Sequence, residues 1–428
     1  MLGGLIGNTL ILTFGELINK VLGLVIRIVS VRLIGDEGIS LYMLVMPTFT
    51  LFMTLASMGF PIAISKLVAE ETKDNKRLVF SIIPVSIILN IVLMTIIFLI
   101  APILSSNLLQ DNRTFYPILA ISFVLPFITI SSIIRGYFFG KQKMLPQVMS
   151  HITEQLVRLI IIIIAIPLLM NVNKIGAVSL LILSNAISEF VSILVLFTSL
   201  PKNFKIRKKD FKPRKDYVSD VLGIGIPATG SRLIGSFSYF LEPIILIGVA
   251  SMIGANIGLL SKEYGIVSAY IMPLLLIPSF FTLAISQALI PIVSKNHVRG
   301  KNNYIKKRIC QACGLSFCLG FISTGLILIN PELVLKFIFN TTSGVKYLYM
   351  LAPVFLLFYI QAPITATLQA MGKAKIAMRN TLIAAITKMV LMIIISYFNG
   401  GIYALIIGIT ASICITTTLG IGALKKLL

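Results

Sequence analysis

Charge is what this sequence has least of. Only 12% of its 428 residues are Asp, Glu, Lys or Arg, where ordinary soluble domains carry roughly a quarter. That shortage excludes a water-soluble enzyme. Cysteine is nearly absent too, with Cys310, Cys313, Cys318 and Cys414 the full set. Cys310 and Cys313 have the inner spacing of a zinc or redox pair. A structural zinc takes about four ligands, and no second pair or histidine cluster completes the set. Both read instead as small buried hydrophobes. His151 and His297 are too few and too far apart for a metal site, so neither metal nor cofactor is expected. A targeting signal is not expected either. The first 15 residues hold no Lys or Arg, and Glu16 and Lys20 interrupt the apolar run that follows. No cleaved signal peptide is expected, and the first apolar segment should stay in the mature protein.

What the chain does have is apolar residue, 57% of the total. At about 20 residues a span, this fills about a dozen membrane crossings and leaves no substantial extramembrane domain. Apolar runs between polar breaks predict twelve helices. The first six run 5–33, 38–65, 78–103, 116–140, 147–170 and 175–200, and the second six 218–249, 264–293, 304–329, 347–371, 376–398 and 401–424. Helices are required because a backbone crossing lipid must satisfy its own hydrogen bonds. A β-barrel would show short alternating segments, whereas the run from Leu159 to Leu169 is apolar on every side. The expected fold class is all-α, integral to the membrane.

Loop charge then sets the expected orientation. The stretches after helices 2, 4, 6, 8, 10 and 12 hold 24 lysines and arginines, against five in the intervening loops. The richest is 202–215, with Lys202, Lys205, Arg207, Lys208, Lys209, Lys212, Arg214 and Lys215. The positive-inside rule puts this side, with both termini, in the cytoplasm of a multi-pass cell-membrane protein. The net charge of +22 therefore implies no nucleic-acid partner. It is spread where anionic membrane lipids attract it, and no basic domain stands apart from the spans.

Sequence similarity between the halves suggests a repeat. Glu37-Gly38-Ile39, Met46-Pro47 and Ser65-Lys66 are echoed by Tyr264-Gly265-Ile266, Met272-Pro273 and Ser294-Lys295. Gly140-Lys141-Gln142-Lys143 is echoed by Gly372-Lys373-Ala374-Lys375. The expected organisation is a six-helix lobe at 1–200, a basic cytoplasmic linker at 201–217 and a second six-helix lobe at 218–428. Six is even, so the lobes cross the membrane in the same sense. Such parallel repeats place a substrate site between them, here a central cavity worked by rocking of the lobes.

Charges within spans are the candidate site, because a charge at mid-bilayer costs about 2.5–3.5 kcal/mol on insertion scales unless it faces a cavity or a partner. On the first helix Glu16, Lys20 and Arg27 fall within about 40° of one another, on one stripe with Gly23 and Ser30. Helix 5 carries Glu154 and Arg158, and helix 6 carries Glu189 beside Asn185 and Ser192. Helix 7 carries Arg232, with Ser236 and Tyr239 on its face and Glu242 further out, and helix 11 carries Lys388. Glu16–Lys20 and Glu154–Arg158 are i,i+4 pairs whose spacing suits mutual neutralisation as well as ligand contact. Arg135, at the end of helix 4, is expected to snorkel to the headgroups, and Glu242 to be solvated near the outer surface. Arg27, Arg232 and Lys388 have no acid three or four residues away and are expected to line a polar cavity. Cations in a low-dielectric cleft favour an anionic ligand.

These residues also carry a resemblance. Asn19-Lys20-Val21-Leu22-Gly23, Arg32-Leu33-Ile34-Gly35 and Glu37-Gly38 resemble the first helix of the MurJ/SpoVB-type flippases, members of the multidrug/oligosaccharidyl-lipid/polysaccharide (MOP) exporter superfamily. Gly59-Phe60-Pro61-Ile62-Ala63-Ile64-Ser65-Lys66, Arg135-Gly136-Tyr137-Phe138-Phe139-Gly140 and Glu154-Gln155-Leu156-Val157-Arg158 are similar to the same branch, as is Tyr264-Gly265 through Pro273. The resemblance implies export or flipping of a polyprenyl-diphosphate-linked sugar through a V-shaped cationic cavity. It implies a diphosphate-binding role for Lys20, with the family's second basic residue one position from Arg27. The further arginines that lipid II flippases carry on helices 2 and 8 are absent, since Met53 and its neighbours and the Ala269–Tyr270 region are uncharged. Those flippases also usually have fourteen spans.

The expected function is alternating-access flipping of an anionic lipid-linked sugar, a cell-wall or polysaccharide precursor, by a monomer, with Na⁺ or H⁺ as candidate coupling ions. Lys20, Arg27, Arg232 and Lys388 would hold phosphate, Glu16 would tune the stripe, and Glu154 with Arg158 would complete the polar lining. The rival is an ion-coupled multidrug or cation antiporter of the same superfamily, in which Glu16, Glu154 and Glu189 dominate the cavity. An enzyme acting on lipid-linked sugars is not expected, because the outer loops are too short to carry its catalytic residues.

Overall fold

A computed structural model describes residues 2–70, 74–170, 172–201 and 207–428. Of the 24 loop cations, Lys73 after the second expected helix and Lys202 and Lys205 after the sixth lie outside the described residues. Every regular element among those described is helical. They are α1 (Leu2–Ser57), α2 (Phe60–Ala69), α3 (Asn75–Ile103), α4 (Phe115–Gly140), α5 (Met144–Met170), α6 (Lys174–Thr198), α7 (Lys215–Met252) and α8 (Ile257–Ile266). There follow α9 (Met272–Leu276), α10 (Ser279–Val298), α11 (Asn302–Ile329), α12 (Pro331–Phe339), α13 (Val345–Ala370), α14 (Ala374–Tyr397) and α15 (Tyr403–Leu427).

Ten helical stretches among the described residues are long and apolar enough to cross a membrane, from Asn75–Leu108 to Tyr403–Leu427. They overlap the third to twelfth expected spans in order, but the expected eighth, 264–293, is broken between α9 and α10. The expected first span lies in α1, and the second, 38–65, runs from α1 into α2 across a break at Met58 and Gly59, so a count of twelve rests on reading the bend within α1 as the turn between them. That bend is at Gly35, with φ 64° and ψ −179°, a backbone region open in practice to glycine alone. Apolar side chains point outward along many spans, among them Ile88, Leu99, Leu168 and Leu326. In water such a surface would aggregate, but in lipid it costs nothing.

The chain forms two compact units, Met1–Phe240 and Leu241–Leu428. The core at one end of the first unit gathers Phe60 and Ile64 of α2, Phe80 of α3, Ile133 and Phe138 of α4, and Tyr217 and Val221 of α7. Glycines let the backbones close in. A methyl group on Gly136 would come within 2.9 Å of the Pro61 carbonyl oxygen, and one on Gly140 within 2.6 Å of that of Ser65. This four-residue spacing of small residues is how membrane helices, lacking a hydrophobic drive toward each other, gain close packing. Two sequence motifs, 59–66 and 135–140, are thus the two sides of one contact. The segment before α7 packs here too: Lys76 pairs with Asp210 at 2.5 Å, and the ring of Phe211 stands edge-on to Phe80 with centroids 5.3 Å apart.

In the second unit Leu289 and Val293 of α10, Ile305 and Ile309 of α11, Ile364 and Leu368 of α13, and Leu424 of α15 form a core. Tyr359 of α13 is fully buried. Its hydroxyl donates to the Leu275 carbonyl at 2.7 Å, and its ring fills the space that Gly320 of α11 leaves open.

Candidate anion site

In the first unit a cavity of about 210 Å³ opens between α1, α5, α6 and α7. Arg27 and Ser30 of α1 line it, with Tyr42 beyond the Gly35 bend, Arg158 of α5, Asn185 of α6 and Tyr239 of α7. Ile26, Val31, Ile162 and Leu181 make up much of the apolar wall. Two guanidinium groups therefore share one small cavity set among packed helices. In such surroundings a guanidinium attracts an anion far more strongly than it would in water, and its planar donors match phosphate oxygens.

Arg158 is held from behind. Its Nη2 donates to Glu154 Oε1 at 2.5 Å, the i,i+4 pairing that the sequence spacing allows. The Nε of Arg158 is buried and has no hydrogen-bond partner among the described residues. A buried donor of a charged group left unmatched is costly, and an anionic oxygen in the cavity is the kind of acceptor that would relieve it.

Arg135 corrects the expectation. Its side chain is only 11% exposed and does not snorkel to the headgroups. It donates to Glu154 Oε2 at 2.9 Å, to Glu189 Oε2 at 3.3 Å and to Ser192 Oγ at 2.7 Å. Ser150 Oγ lies 3.4 Å from its Nε. His151 Nδ1 stands 3.4 Å from Glu154 Oε2. The guanidinium draws α4, α5 and α6 into one buried polar network, where its several donors satisfy carboxylates that lipid could not solvate.

Lys388 also differs from expectation. It donates to Glu242 of α7, in the second unit, and Glu242 is buried rather than solvated near a surface. The other sequence candidates stand apart from the cavity lining: Glu16 and Arg232 are exposed, and Lys20 is half-buried on α1. Tyr42 and the Arg135 node were not singled out in advance. Tyr42 lies across the Gly35 bend from Arg27, and Arg135 meets its partners only through packing, so no helical periodicity marks either one. No group of His, Cys, Asp and Glu suited to a metal ion occurs among the described residues.

The family model described as polysaccharide biosynthesis protein matches residues 5–297. This chain belongs to that family. A second model, MatE, matches residues 236–394. Relatives of this chain include stage V sporulation protein B of Bacillus subtilis, 34% identical over 98% of this chain and 83% of that protein. Lipid II flippase MurJ of Bacillus subtilis is 26% identical over 96% of this chain and 81% of its own length. The solved inward-facing structure of a multidrug resistance MATE family transporter of the MOP superfamily aligns with a TM-score of 0.75. At 16% identity, over 95% of this chain and 96% of that one, it shows a shared fold. The chain is accordingly a multi-pass membrane transporter of the MOP superfamily and not an enzyme.

Proposed function

We propose that this transporter flips a polyprenyl-diphosphate-linked sugar, a cell-wall or polysaccharide precursor, across the cytoplasmic membrane. The observation that carries the reading is the pair Arg27 and Arg158 in one cavity, with Arg158 Nε unmatched. Arg27 and Arg158 take the diphosphate. Lys20, with Glu16 beside it, and Arg232 make earlier or later contacts along the path. Lys388 joins only in a state that releases Glu242. The chain works as a monomer by alternating access between lobes 1–200 and 218–428, with 201–217 and both termini cytoplasmic. Anionic membrane lipids meet its basic loops, and a Na⁺ or H⁺ gradient drives the cycle. The names of the two Bacillus subtilis relatives, a sporulation protein and a lipid II flippase, agree with a precursor of this class.

The test is reconstitution in liposomes with a fluorescent polyprenyl-diphosphate sugar. The unchanged protein is expected to move it, and Arg27→Gln to lose at least about tenfold of that rate, the effect of 1.36 kcal/mol on a barrier. Equal transport by Arg27→Gln would end the assignment.

A second reading is an ion-coupled multidrug or cation antiporter, favoured by the MatE match and by two buried carboxylates, Glu154 and Glu189. Gradient-driven uptake of cationic dyes by the same liposomes, without movement of the lipid-linked sugar, would establish it instead.

A further inference from the structure

Arg135 does not line the cavity, yet every carboxylate behind Arg158 answers to it. We propose that Arg135 is a positioning residue for the anion site: by engaging Glu154 and Glu189 it keeps the Arg158 guanidinium available to a diphosphate. This rests on the reading of the cavity given above.

Glu154 divides its two oxygens. Oε1 accepts from Arg158 at 2.5 Å, and Oε2 accepts from Arg135 at 2.9 Å. Glu189 is bound by the same Arg135, at 3.3 Å and 3.5 Å. Ser192 Oγ, at 2.7 Å from Nη2, and Ser150 Oγ, at 3.4 Å from Nε, fix the plane of the guanidinium. Both carboxylates are buried, where their fields are poorly screened.

The charge balance then depends on one residue. Arg27, Arg135 and Arg158 outnumber Glu154 and Glu189 by one, His151 set aside, so the region favours an anion. Remove Arg135 and the count is even. Glu189 then has no guanidinium of its own, and Glu154 Oε2 is left facing only His151 Nδ1, 3.4 Å away. The permanently charged group left to compensate them is Arg158, already on Glu154 Oε1 at 2.5 Å, which is drawn from the cavity toward α6. Arg135 thus acts on a ligand it never touches, through the carboxylates it occupies.

The experiment measures binding of farnesyl diphosphate to the full chain in detergent, with farnesol as the phosphate-free control. Arg135→Gln is expected to weaken diphosphate binding about tenfold, equivalent to 1.4 kcal/mol, and to leave farnesol binding unchanged. Arg135→Gln with Glu189→Gln restores the surplus cation and should recover most of the loss, which a merely structural role of Arg135 would not. Glu189→Gln alone, which keeps Arg135 on Glu154, is expected to tighten diphosphate binding and serves if Arg135→Gln does not fold. Unchanged diphosphate affinity in Arg135→Gln, failure of the double variant to recover, or weakened or unaltered binding in Glu189→Gln would overturn the proposal. Arg27→Gln separates the two levels. If it leaves diphosphate affinity intact, the cavity reading falls and this inference with it. If Arg27→Gln loses affinity while Arg135→Gln does not, only the positioning role fails.

Discussion

The backbones of Gly59 and Gly225 touch. A methyl group built on Gly59 would lie 2.4 Å from the Gly225 carbonyl oxygen, and one on Gly225 would lie 2.5 Å from that of Met58. Gly59 begins α2 with φ 65°, so it needs glycine for conformation as well as for space. Gly59→Ala is expected to destabilise the first unit by more than the 1–2 kcal/mol or so that left-handed backbone costs other residues. Thermal unfolding in detergent, followed by circular dichroism, checks it. Gly225→Ala, where α7 is already helical, should cost less but still measurably.

Tyr359 offers a contrast between shape and bonding. Tyr359→Phe removes only the hydroxyl that donates to Leu275 and should cost about 1 kcal/mol. Gly320→Ala places a methyl 2.0 Å from the Tyr359 ring and should cost more, because a packed aromatic ring among helices cannot step aside cheaply. Unfolding of the two variants side by side gives the order.

Lys388 and Glu242 are both largely shielded, at 12% and 11% side-chain exposure. Removing one partner of such a pair leaves an uncompensated charge and costs about 3–5 kcal/mol. Lys388→Met alone should therefore be markedly less stable than Lys388→Met combined with Glu242→Gln. A double-mutant cycle on thermal stability reads the coupling, and additive losses would count against it.

Asp210 ties the basic segment ahead of α7 to Lys76 and accepts from the Arg207 amide at 2.9 Å. The hydrogen bond from Lys76 and that amide hold its carboxyl below the usual range. A depressed carboxylate contributes above its ordinary pKa and loses that contribution as pH falls through its lowered value. The docking should thus be steady at neutral pH and loosen only below about pH 4. Hydrogen exchange across 207–217 is expected to rise in Asp210→Asn at pH 7 and to rise in the unchanged protein only in acid.

Much of the fold was legible because transfer of side chains into lipid is a local, nearly additive property. The apolar runs located ten spans in order, and the i,i+4 spacing located the Glu154–Arg158 pair. The same periodicity says nothing about partners on other helices. Arg135 and Glu189 are 54 residues apart in sequence, and Lys388 and Glu242 are 146 apart. Reading Arg135 as a snorkelling residue and Lys388 as an open cation went wrong for that reason.

Composition alone settled that this chain lives in a membrane, and its motifs pointed to the superfamily, since both are written residue by residue. Which charges meet was settled by packing. Gly136 and Gly140 admit α2 closely enough to seat α4, and α4 then delivers Arg135 to two carboxylates on its neighbours. A lone arginine in a sequence becomes a ligand contact or a brace according to what the helices bring within about 3 Å of it, and only the tertiary structure supplies that distance.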